Sequence, residues 1–274
     1  MNLFEVYKIA LDMLKNKTEA VILIEEIFGF NRIDISLNYN FEINENSKKV
    51  FFNYLNRIKY GEPIQYVLGK TFFLGLELKV GPGVFIPRPE TELLVEYIFK
   101  NFKEDFSGNI IDLCSGSGAI AIYLKKYLKN AKIWAIEKSP EAFDYLVANT
   151  KTNNVKIKYI LGNIFEKFSE FNNNKFDIII SNPPYIKTGD IEKLDKNVKF
   201  EPYIALDGGK DGLEFYRNIL KFWLPKLKKN GIIIFELGIG QHIEVKKMFN
   251  NYEFKNTTIL KDFSNIERII IAKQ

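Results

Sequence analysis

Apolar residues in the first sixty positions recur at the spacing of amphipathic helices. One stripe runs from Leu3 to Leu14, and two further stripes end at Gly29 and Gly61. Glycine is common directly after the last turn of a helix, so each of these two positions predicts a helix end. We therefore expect a small helical bundle over residues 1–70.

The pattern changes over residues 64–86, which are rich in β-branched and aromatic side chains. Glycine and proline interrupt this stretch at Gly75 and at residues 81–83. Strand-forming residues divided by turn-forming ones are typical of a β-hairpin. We assign residues 71–87 to a β-hairpin linker between two domains.

Strand and helix patterns alternate from residue 88 to the end of the chain. Short apolar runs predict strands over residues 109–114, 132–137, 156–161, 176–181, 231–236, 252–260 and 267–272. Helical periodicity predicts helices over residues 118–129, 139–153, 212–228 and 241–249, and an Asn-rich loop is expected over residues 171–175. This alternation predicts an α/β domain over residues 88–274, whose parallel, doubly wound sheet binds ligands beyond the carboxyl ends of its strands.

The composition excludes several classes of protein. The 274 residues are 46% hydrophobic and 27% charged, which indicates a globular core rather than a disordered or collagen-like chain. One cysteine excludes an intrachain disulfide and a cysteine-rich zinc site, and one histidine argues against a histidine-rich metal site. The net charge of +5 comes from interspersed charges of both signs, which favours solvated helix faces over a nucleic-acid interface. No apolar run reaches membrane length, and a cytoplasmic location is expected.

A glycine-rich turn, Asp112-Leu-Cys-Ser-Gly-Ser-Gly118, joins the first predicted strand of the sheet to the next helix. Gly116 and Gly118 allow a tight turn and a close approach of the backbone to a ligand, and the helix start offers free N–H groups. Glu137 ends the next strand, where a carboxylate can accept both hydroxyl groups of a ribose. The pattern predicts a site for a nucleoside cofactor, and because it also fits the dinucleotide fingerprint it leaves the cofactor open.

The sequence Asn-Pro-Pro-Tyr at residues 182–185 follows another predicted parallel strand and so faces the same edge of the sheet. Pro183 and Pro184 have no backbone N–H, so this loop presents mainly carbonyl acceptors beside the amide of Asn182. Rigid acceptors next to the ring of Tyr185 suit a planar substrate that carries an NH2 group. Holding such a nitrogen in line for attack is a large part of catalysis.

These motifs, together with several further segments, resemble the HemK/PrmC family of S-adenosylmethionine-dependent methyltransferases. The further segments are Gly61-Glu-Pro-Ile-Gln-Tyr66, Ile86-Pro-Arg-Pro-Glu-Thr-Glu92, Glu201-Pro202, Ala205-Leu-Asp-Gly-Gly-Lys-Asp-Gly-Leu213, Glu236-Leu-Gly238, Gln241 and Lys261-Asp-Phe263. The resemblance implies a Rossmann-like methyltransferase domain whose mostly parallel sheet has an antiparallel C-terminal strand. It also implies an enzyme that methylates the side-chain amide nitrogen, N5, of the glutamine in the Gly-Gly-Gln motif of peptide chain release factors.

The resemblance further implies a role for each residue that matches a family motif. The expected catalytic residues, which would hold the target glutamine, are Asn182, Pro183, Pro184 and Tyr185. The expected cofactor-binding residues are Asp112, Cys114, Ser115, Gly116, Ser117, Gly118, Glu137, Asn163, Ile164 and Asn182. The chain departs from the family pattern at Cys114, where glycine is usual, and at Glu137 and Asn163, where aspartate is usual.

The expected reaction is a direct displacement that converts S-adenosylmethionine to S-adenosylhomocysteine as the glutamine nitrogen attacks the methyl group. An amide nitrogen is a poor nucleophile, and two acceptors on its N–H groups would polarise it. No metal is expected, because the sulfonium already carries an activated leaving group. His242 is expected to be a surface or hydrogen-bonded residue rather than a catalytic base.

Other functions would use only parts of these motifs. An adenine-N6 DNA methyltransferase shares the Asn-Pro-Pro-Tyr chemistry but needs a DNA-reading region. A nicotinamide-dependent oxidoreductase would explain only the glycine-rich turn, and a non-catalytic module that binds translation factors would need neither motif. We therefore expect release factors as partners, docked with the help of residues 1–70, with no membrane and no direct DNA binding. The protein is expected to be a monomer.

Overall fold

The structure is a computed structural model that describes residues 1–166, 168, 171, 176–252, 254 and 256–274. By its internal contacts the chain forms two compact units, one of residues 1–69 and 195–200 and one of residues 70–194 and 201–274. Apart from Phe171, the Asn-rich loop expected over residues 171–175 lies outside the described residues, and so do Glu253 and Lys255 of the strand expected over residues 252–260.

The first unit is a helical bundle. Its helices are α1 (Leu3–Leu14), α2 (Lys17–Phe28), α3 (Arg32–Leu37), α4 (Glu45–Lys59) and α5 (Ile64–Leu68). An asparagine precedes each of the first four helices, and its side chain accepts hydrogen bonds from backbone N–H groups of the first turn. Leu3, Leu23, Phe51 and Leu55 are fully buried in the core that the helices enclose.

The second unit is built on a mostly parallel sheet. Its strands are β1 (Lys70–Phe73), β2 (Leu76–Lys79), β3 (Asn109–Leu113), β4 (Lys132–Glu137), β5 (Lys158–Leu161), β6 (Phe176–Ser181), β7 (Leu227–Glu236), β8 (Asn256–Lys261) and β9 (Glu267–Lys273). Its helices are α6 (Glu92–Asn101), α7 (Ala119–Tyr127), α8 (Pro140–Thr152), α9 (Tyr203–Leu206), α10 (Glu214–Trp223) and α11 (His242–Asn251). The large sheet has the order β5-β4-β3-β6-β7-β9-β8, and β9 runs antiparallel to both of its neighbours while the remaining pairs are parallel. The predicted α/β fold with its antiparallel C-terminal strand is confirmed.

Strands β1 and β2 form the predicted hairpin and pair antiparallel across a turn at Leu74 and Gly75. The hairpin is anchored to helix α8 by Asn149, whose amide accepts from the N–H of Lys79 and donates to the carbonyl of the same residue. The Asn149 amide also donates to the carbonyl of Ser117. One side chain thus ties the hairpin to the turn that begins helix α7.

Helices α5 and α10 differ from their predictions. Residues 64–68 form helix α5 rather than extended chain, because Pro63 precedes its first turn and a left-handed glycine ends it. The helix predicted over residues 212–228 is shorter, since Pro225 cannot continue the helical hydrogen bonds, and strand β7 begins as early as Leu227.

Hydrophobic side chains fill both faces of the large sheet. Successive residues of β3 point to opposite faces, so Ile110 packs with the cluster under helices α6 to α8 and Ile111 with the cluster under α10 and α11. Burial on both faces explains why the central strands β3, β4 and β6 are largely continuous apolar runs. Within the described part of the chain, no helix is long and apolar enough to cross a membrane.

Candidate active site

One pocket opens at the carboxyl ends of β3, β4 and β6. Of the predicted site residues, it is lined by Cys114, Ser115, Gly116, Ser117, Glu137, Asn163, Ile164, Asn182, Pro183, Pro184 and Tyr185. Asp112 and Gly118 do not line it, because Asp112 is fully buried within β3 and Gly118 lies behind the loop at the start of α7. The fold therefore brings the glycine loop (residues 112–118) and the Asn-Pro-Pro-Tyr box (residues 182–185) to one cavity.

Backbone geometry explains the composition of the glycine loop. Gly118 has a φ of +83°, and a Cβ there would lie 2.3 Å from Cδ1 of Leu146. Gly116 has a φ of +54°, and a Cβ there would meet nothing within 4 Å, so only the left-handed backbone favours glycine. Cys114 has a φ of +61° despite its side chain, which costs on the order of 1 kcal/mol. Burial raises the pKa of its thiol well above the ordinary value, so the thiol lines the pocket as a neutral group.

Glu137 holds the glycine loop as well as lining the pocket. Its Oε2 accepts from the N–H of Gly116 over 2.8 Å, and its Oε1 accepts from the N–H groups of Lys138 and Ser139, each over 2.8 Å. Burial raises the pKa of this carboxyl, while the three backbone donors act to lower it. A carboxylate has about four acceptor sites, so three bonds leave one on Oε2. The sequence predicts that this carboxylate accepts both ribose hydroxyls; as placed, it has room for one.

Asp112, at the start of the glycine loop, carries a buried carboxyl. It is fully buried, and neither of its oxygens has a hydrogen-bond partner among the described residues. Burial, together with a smaller effect of the negative charge of Glu137, raises its pKa to about 7, while the nearby Ser115 hydroxyl and Ala121 N–H act to lower it. The folded protein therefore favours the neutral form of this carboxyl more than water does.

The Asn163 segment forms the wall beyond β5. The Asn163 oxygen accepts from the N–H of Phe165 over 3.1 Å, which fixes the amide in a tight turn. Ile164 is buried, and its carbonyl accepts from the indole N–H of Trp223 over 2.8 Å. Phe165 and Phe215 pack against each other at 5.1 Å between ring centres and also line the pocket. This wall is mostly apolar with one amide, a composition that is typical of small-molecule pockets.

The Asn-Pro-Pro-Tyr box begins where β6 ends. The Asn182 side chain donates from Nδ2 to Oγ1 of Thr91 over 3.0 Å. The Tyr185 hydroxyl points inward and donates to Oε1 of Glu236 over 3.3 Å, and burial raises the pKa of this phenol. Because the hydroxyl is engaged there, Tyr185 offers its ring rather than its hydroxyl to the pocket.

Close backbone contacts hold the box from behind. A Cβ on Gly208 would lie 2.7 Å from Cα of Tyr185, and one on Gly238 would lie 3.0 Å from the Tyr185 ring. Gln241 donates from Nε2 to the carbonyl of Tyr185 over 2.9 Å and accepts from the N–H of Gly238 over 2.9 Å. The box is therefore a rigid element, which favours positioning over induced movement.

A partly buried ion pair connects two segments next to the pocket. Glu201 is almost wholly buried, pairs with Arg88 and accepts from the N–H of Ile86 over 3.0 Å. Burial raises the pKa of Glu201, and the Arg88 charge acts against that rise. Phe85 and Pro202, next to these residues, both line the pocket. The pair thus joins two loops that wall the same cavity.

The motifs did not indicate that the side chains of four further residues hold the pocket walls in place: Thr91, Glu201, Glu236 and Gln241. All four lie in segments that carried the family resemblance, but no motif signalled their contacts. Glu236 had one local signal, since it is a carboxylate at the end of a buried strand, as Asn182 is an amide after one. His242 lies outside the pocket lining, with Nδ1 at 3.9 Å from Oε2 of Glu267.

The chain is similar in sequence and in fold to known methyltransferases. Residues 76–198 match the family model described as the methyltransferase small domain. A methyltransferase from Pyrococcus furiosus superimposes with a TM-score of 0.54 at 21% identity, covering 81% of this chain and 98% of that one. The hMettl16 catalytic domain, solved with a 3'UTR hairpin, superimposes with a TM-score of 0.62 at 16% identity over 78% of this chain and 82% of that one. The fold is that of the S-adenosylmethionine-dependent methyltransferases.

Proteins of similar sequence identify the family to which the chain belongs. Residues 11–69 match the model of the PrmC N-terminal domain. The release factor glutamine methyltransferase of Clostridium acetobutylicum is 38% identical over 257 residues, covering 93% of this chain and 90% of that protein. The enzyme of that name from Aquifex aeolicus is 35% identical over 279 residues, covering 99% and 98%. The chain belongs to the release factor glutamine methyltransferase family, as its motifs predicted.

Proposed function

We propose that the protein transfers a methyl group from S-adenosylmethionine to N5 of the glutamine in the Gly-Gly-Gln motif of peptide chain release factors. The products are N5-methylglutamine and S-adenosylhomocysteine. The observation that carries the proposal is the rigid Asn-Pro-Pro-Tyr box in the wall of the pocket that the glycine loop also lines. Family membership supports the substrate, and the comparisons favour neither DNA methylation nor nicotinamide chemistry.

The cofactor side of the pocket fits a nucleoside with a positively charged sulfur. Gly116 leaves open space where a side chain would stand, and Glu137 keeps one acceptor site for a ribose hydroxyl. Asn163 and Ile164 line the wall that would face the adenine. S-adenosylmethionine, when bound, supplies a methyl group that its sulfonium has already activated.

The substrate side of the pocket fits a carboxamide. The Asn182 NH2 is engaged with Thr91, so the Asn182 oxygen is the end left to accept an N–H of the glutamine. No donor among the described residues pairs with the Pro183 carbonyl, which can take the second N–H. These two bonds would polarise the amide nitrogen and fix its direction of attack, and the Tyr185 ring would cover the planar group. The released proton passes to solvent.

Mass spectrometry of a Gly-Gly-Gln peptide and of a whole release factor, each incubated with the protein and S-adenosylmethionine, tests this function. We expect one methyl group on the glutamine of each substrate. A peptide with asparagine in place of that glutamine is the matched control and should stay unmodified. Methylation of adenine in a DNA duplex, with no product on either protein substrate, would contradict the proposal.

The helical unit, expected over residues 1–70, would serve to dock the folded release factor. Helix α3 and the segment after it expose apolar side chains at Ile33, Leu37, Tyr39 and Phe41. Exposed apolar groups of this kind are typical of surfaces that bind another protein. Leu37 is 76% exposed, so Leu37→Asp should leave folding intact. It should lower kcat/KM for the whole release factor and not for the peptide; equal losses on both substrates would contradict a docking role.

The remaining parts of the proposal concern the state in which the protein works. It would act as a monomer, in the cytoplasm, without a metal and without direct binding of DNA. The interspersed charge of the sequence supports the absence of direct DNA binding, and a reaction that needs no Lewis acid supports the absence of a metal. Sedimentation of the protein alone and methylation in the presence of a chelator test two of these points. A stable dimer, or activity abolished by the chelator, would contradict the corresponding part.

A further inference from the structure

The orientation of the Asn182 amide decides whether its oxygen can face the substrate. The two ends of an asparagine amide have nearly the same shape, so hydrogen-bond partners decide which end faces which way. Nδ2 of Asn182 donates to Oγ1 of Thr91 over 3.0 Å. The group that fixes this amide is therefore Thr91.

The hydroxyl hydrogen of Thr91 is committed to a third residue. Oγ1 of Thr91 donates to Oε2 of Glu236 over 2.6 Å, and both side chains are almost wholly buried. A hydroxyl has one hydrogen, so an oxygen that donates to a carboxylate can only accept from Asn182. A reversed Asn182 amide would set two acceptors against each other and leave both without a hydrogen.

The backbone of Thr91 leaves its hydroxyl free for this use. Thr91 ends a 3-10 turn, Pro89–Thr91, that leads directly into helix α6, and its helical φ of −64° and ψ of −24° differ from the extended backbone of a helix-capping residue. Here its side chain makes no capping bond. The hydroxyl instead bridges residues that lie 91 and 145 positions away along the chain, Asn182 and Glu236.

Glu236 anchors the other end of this chain of hydrogen bonds. It ends β7, the strand beside β6, and it lies outside the pocket lining. Besides accepting from Thr91, it accepts a hydrogen bond from the Tyr185 hydroxyl, so one buried carboxylate contacts Tyr185 directly and reaches Asn182 through Thr91. Burial raises the pKa of Glu236 to about 7, while the bonds from Thr91 and Tyr185 and the charge of Arg268 lower it.

We propose that Glu236, acting through the Thr91 hydroxyl, is the positioning residue that turns the Asn182 oxygen toward the substrate nitrogen. The inference rests on the proposed function, because it assigns the means by which the Asn-Pro-Pro-Tyr box is oriented to accept an N–H. Asn182 is the catalytic residue that touches the substrate, and Thr91 transmits the polarity of the carboxylate to it.

Two substitutions at Thr91 separate polarity from packing. Thr91→Val keeps the shape of the side chain but removes the hydroxyl, whereas Thr91→Ser keeps the hydroxyl but removes a buried methyl group. We expect Thr91→Val to lower kcat for the Gly-Gly-Gln peptide by about 30-fold, and Thr91→Ser to retain most of it. A packing role would give the reverse order, because serine leaves a cavity and valine does not.

A double-mutant cycle tests whether the effect passes through Asn182. Thr91→Val in the Asn182→Ala background should change kcat by less than about twofold, because the group to be oriented is already absent. Glu236→Leu removes the acceptor of the Thr91 hydrogen, frees that hydrogen for the Asn182 oxygen, and should lower kcat as Thr91→Val does. Thermal melts identify any variant that fails to fold, and the Thr91 pair decides the question if Glu236→Leu is one of them.

Each possible result either contradicts or supports the positioning role of Glu236 and Thr91. Wild-type kcat in Thr91→Val, a lower kcat in Thr91→Ser than in Thr91→Val, or additive effects in the cycle would each overturn the positioning role. A wild-type protein that methylates DNA but not the glutamine peptide would overturn the proposed function itself. The order Ser above Val, with non-additivity in the cycle, supports the inference.

Discussion

The glycine loop and the Asn-Pro-Pro-Tyr box face one pocket but are held in different ways. The glycine loop is held by its own left-handed backbone and by Glu137, which lies 21 positions from Gly116 and on the adjacent strand. The box is held by side chains 91, 51 and 56 positions away, from Thr91, Glu236 and Gln241 respectively. The proposed cofactor half of the pocket is thus held by contacts that are largely local in sequence, whereas the proposed substrate half depends on contacts between distant segments of the second unit.

This difference shows which features of the pocket a sequence motif can reveal and which it cannot. A left-handed turn needs glycine for steric reasons that act within a few residues, so the sequence pattern carries the geometry. The direction of an amide depends on donors and acceptors brought by other elements, and no local pattern encodes those. Substitutions in the two halves should therefore fail in different ways.

Asn182→Ala should give the largest effect. It removes the oxygen that would accept the substrate N–H, and kcat should fall on the order of 100-fold because orientation and polarisation act mostly in the transition state. Affinity for S-adenosylmethionine and the melting temperature should change little. Steady-state kinetics with the peptide and calorimetry with the cofactor measure both.

Asn163→Ala is the matched control on the cofactor wall. It also removes an asparagine that lines the pocket, and it should weaken cofactor binding more than it lowers kcat. A normally folded Asn182→Ala enzyme with near-wild-type kcat would mean that the box is only a turn of the chain.

Glu137→Ala should act on the cofactor half. It removes the acceptor for a ribose hydroxyl and frees the N–H of Gly116, so binding of S-adenosylmethionine should weaken by about 1–3 kcal/mol. Asp144→Ala removes a charge from an exposed position of helix α8 outside the pocket lining and should leave the affinity unchanged. Equal calorimetric affinities in the two variants would remove Glu137 from the site.

The two glycines of the loop should differ in their tolerance of alanine. Gly116→Ala meets only the strain of a left-handed backbone, roughly 1 kcal/mol. Gly118→Ala adds a Cβ that would lie 2.3 Å from Leu146, so its free energy of unfolding should fall by roughly 2 kcal/mol more. Urea denaturation of both variants measures the difference, and identical losses would show that Leu146 moves aside without cost.

Asp112→Asn should change how the stability of the protein depends on pH. The pKa of Asp112 is raised from 3.8 to about 7, so the folded protein keeps a proton that the unfolded chain releases between those values. The free energy of unfolding should therefore fall as the pH rises through this window, by at most about 1.4 kcal/mol per pH unit for this group. Glu236, with its pKa raised to about 7, acts in the same direction.

Asparagine does not titrate, so the Asp112→Asn variant should show a flatter dependence between about pH 4 and pH 7, with the slope that Glu236 supplies. Denaturation curves at several pH values in this range measure both proteins. A variant whose slope equals that of the wild type would show that Asp112 is ionised throughout.

Much of the fold could be predicted because its elements are locally encoded. Strands β3, β4 and β6 are continuous apolar runs since both of their faces are buried, and Ser139 and Pro140 mark the start of α8. Helix α5 was missed because its apolar residues are too few to show a period. The end of α10 was misplaced because Pro225 stops the helix, and Lys228, the last residue of the predicted helix, belongs to β7.

The sequence alone determined which residue types meet at the pocket, because glycine turns and proline carbonyls at the ends of parallel strands must face one edge of a sheet. Tertiary structure decided how those groups are directed. The Asn182 amide faces Thr91, the Tyr185 hydroxyl is turned away from the pocket to Glu236, and three of the four acceptor sites of Glu137 are filled by backbone N–H groups. Hydrogen-bond direction depends on which donors the folded chain brings within about 3 Å, and that proximity exists only once distant segments have packed together.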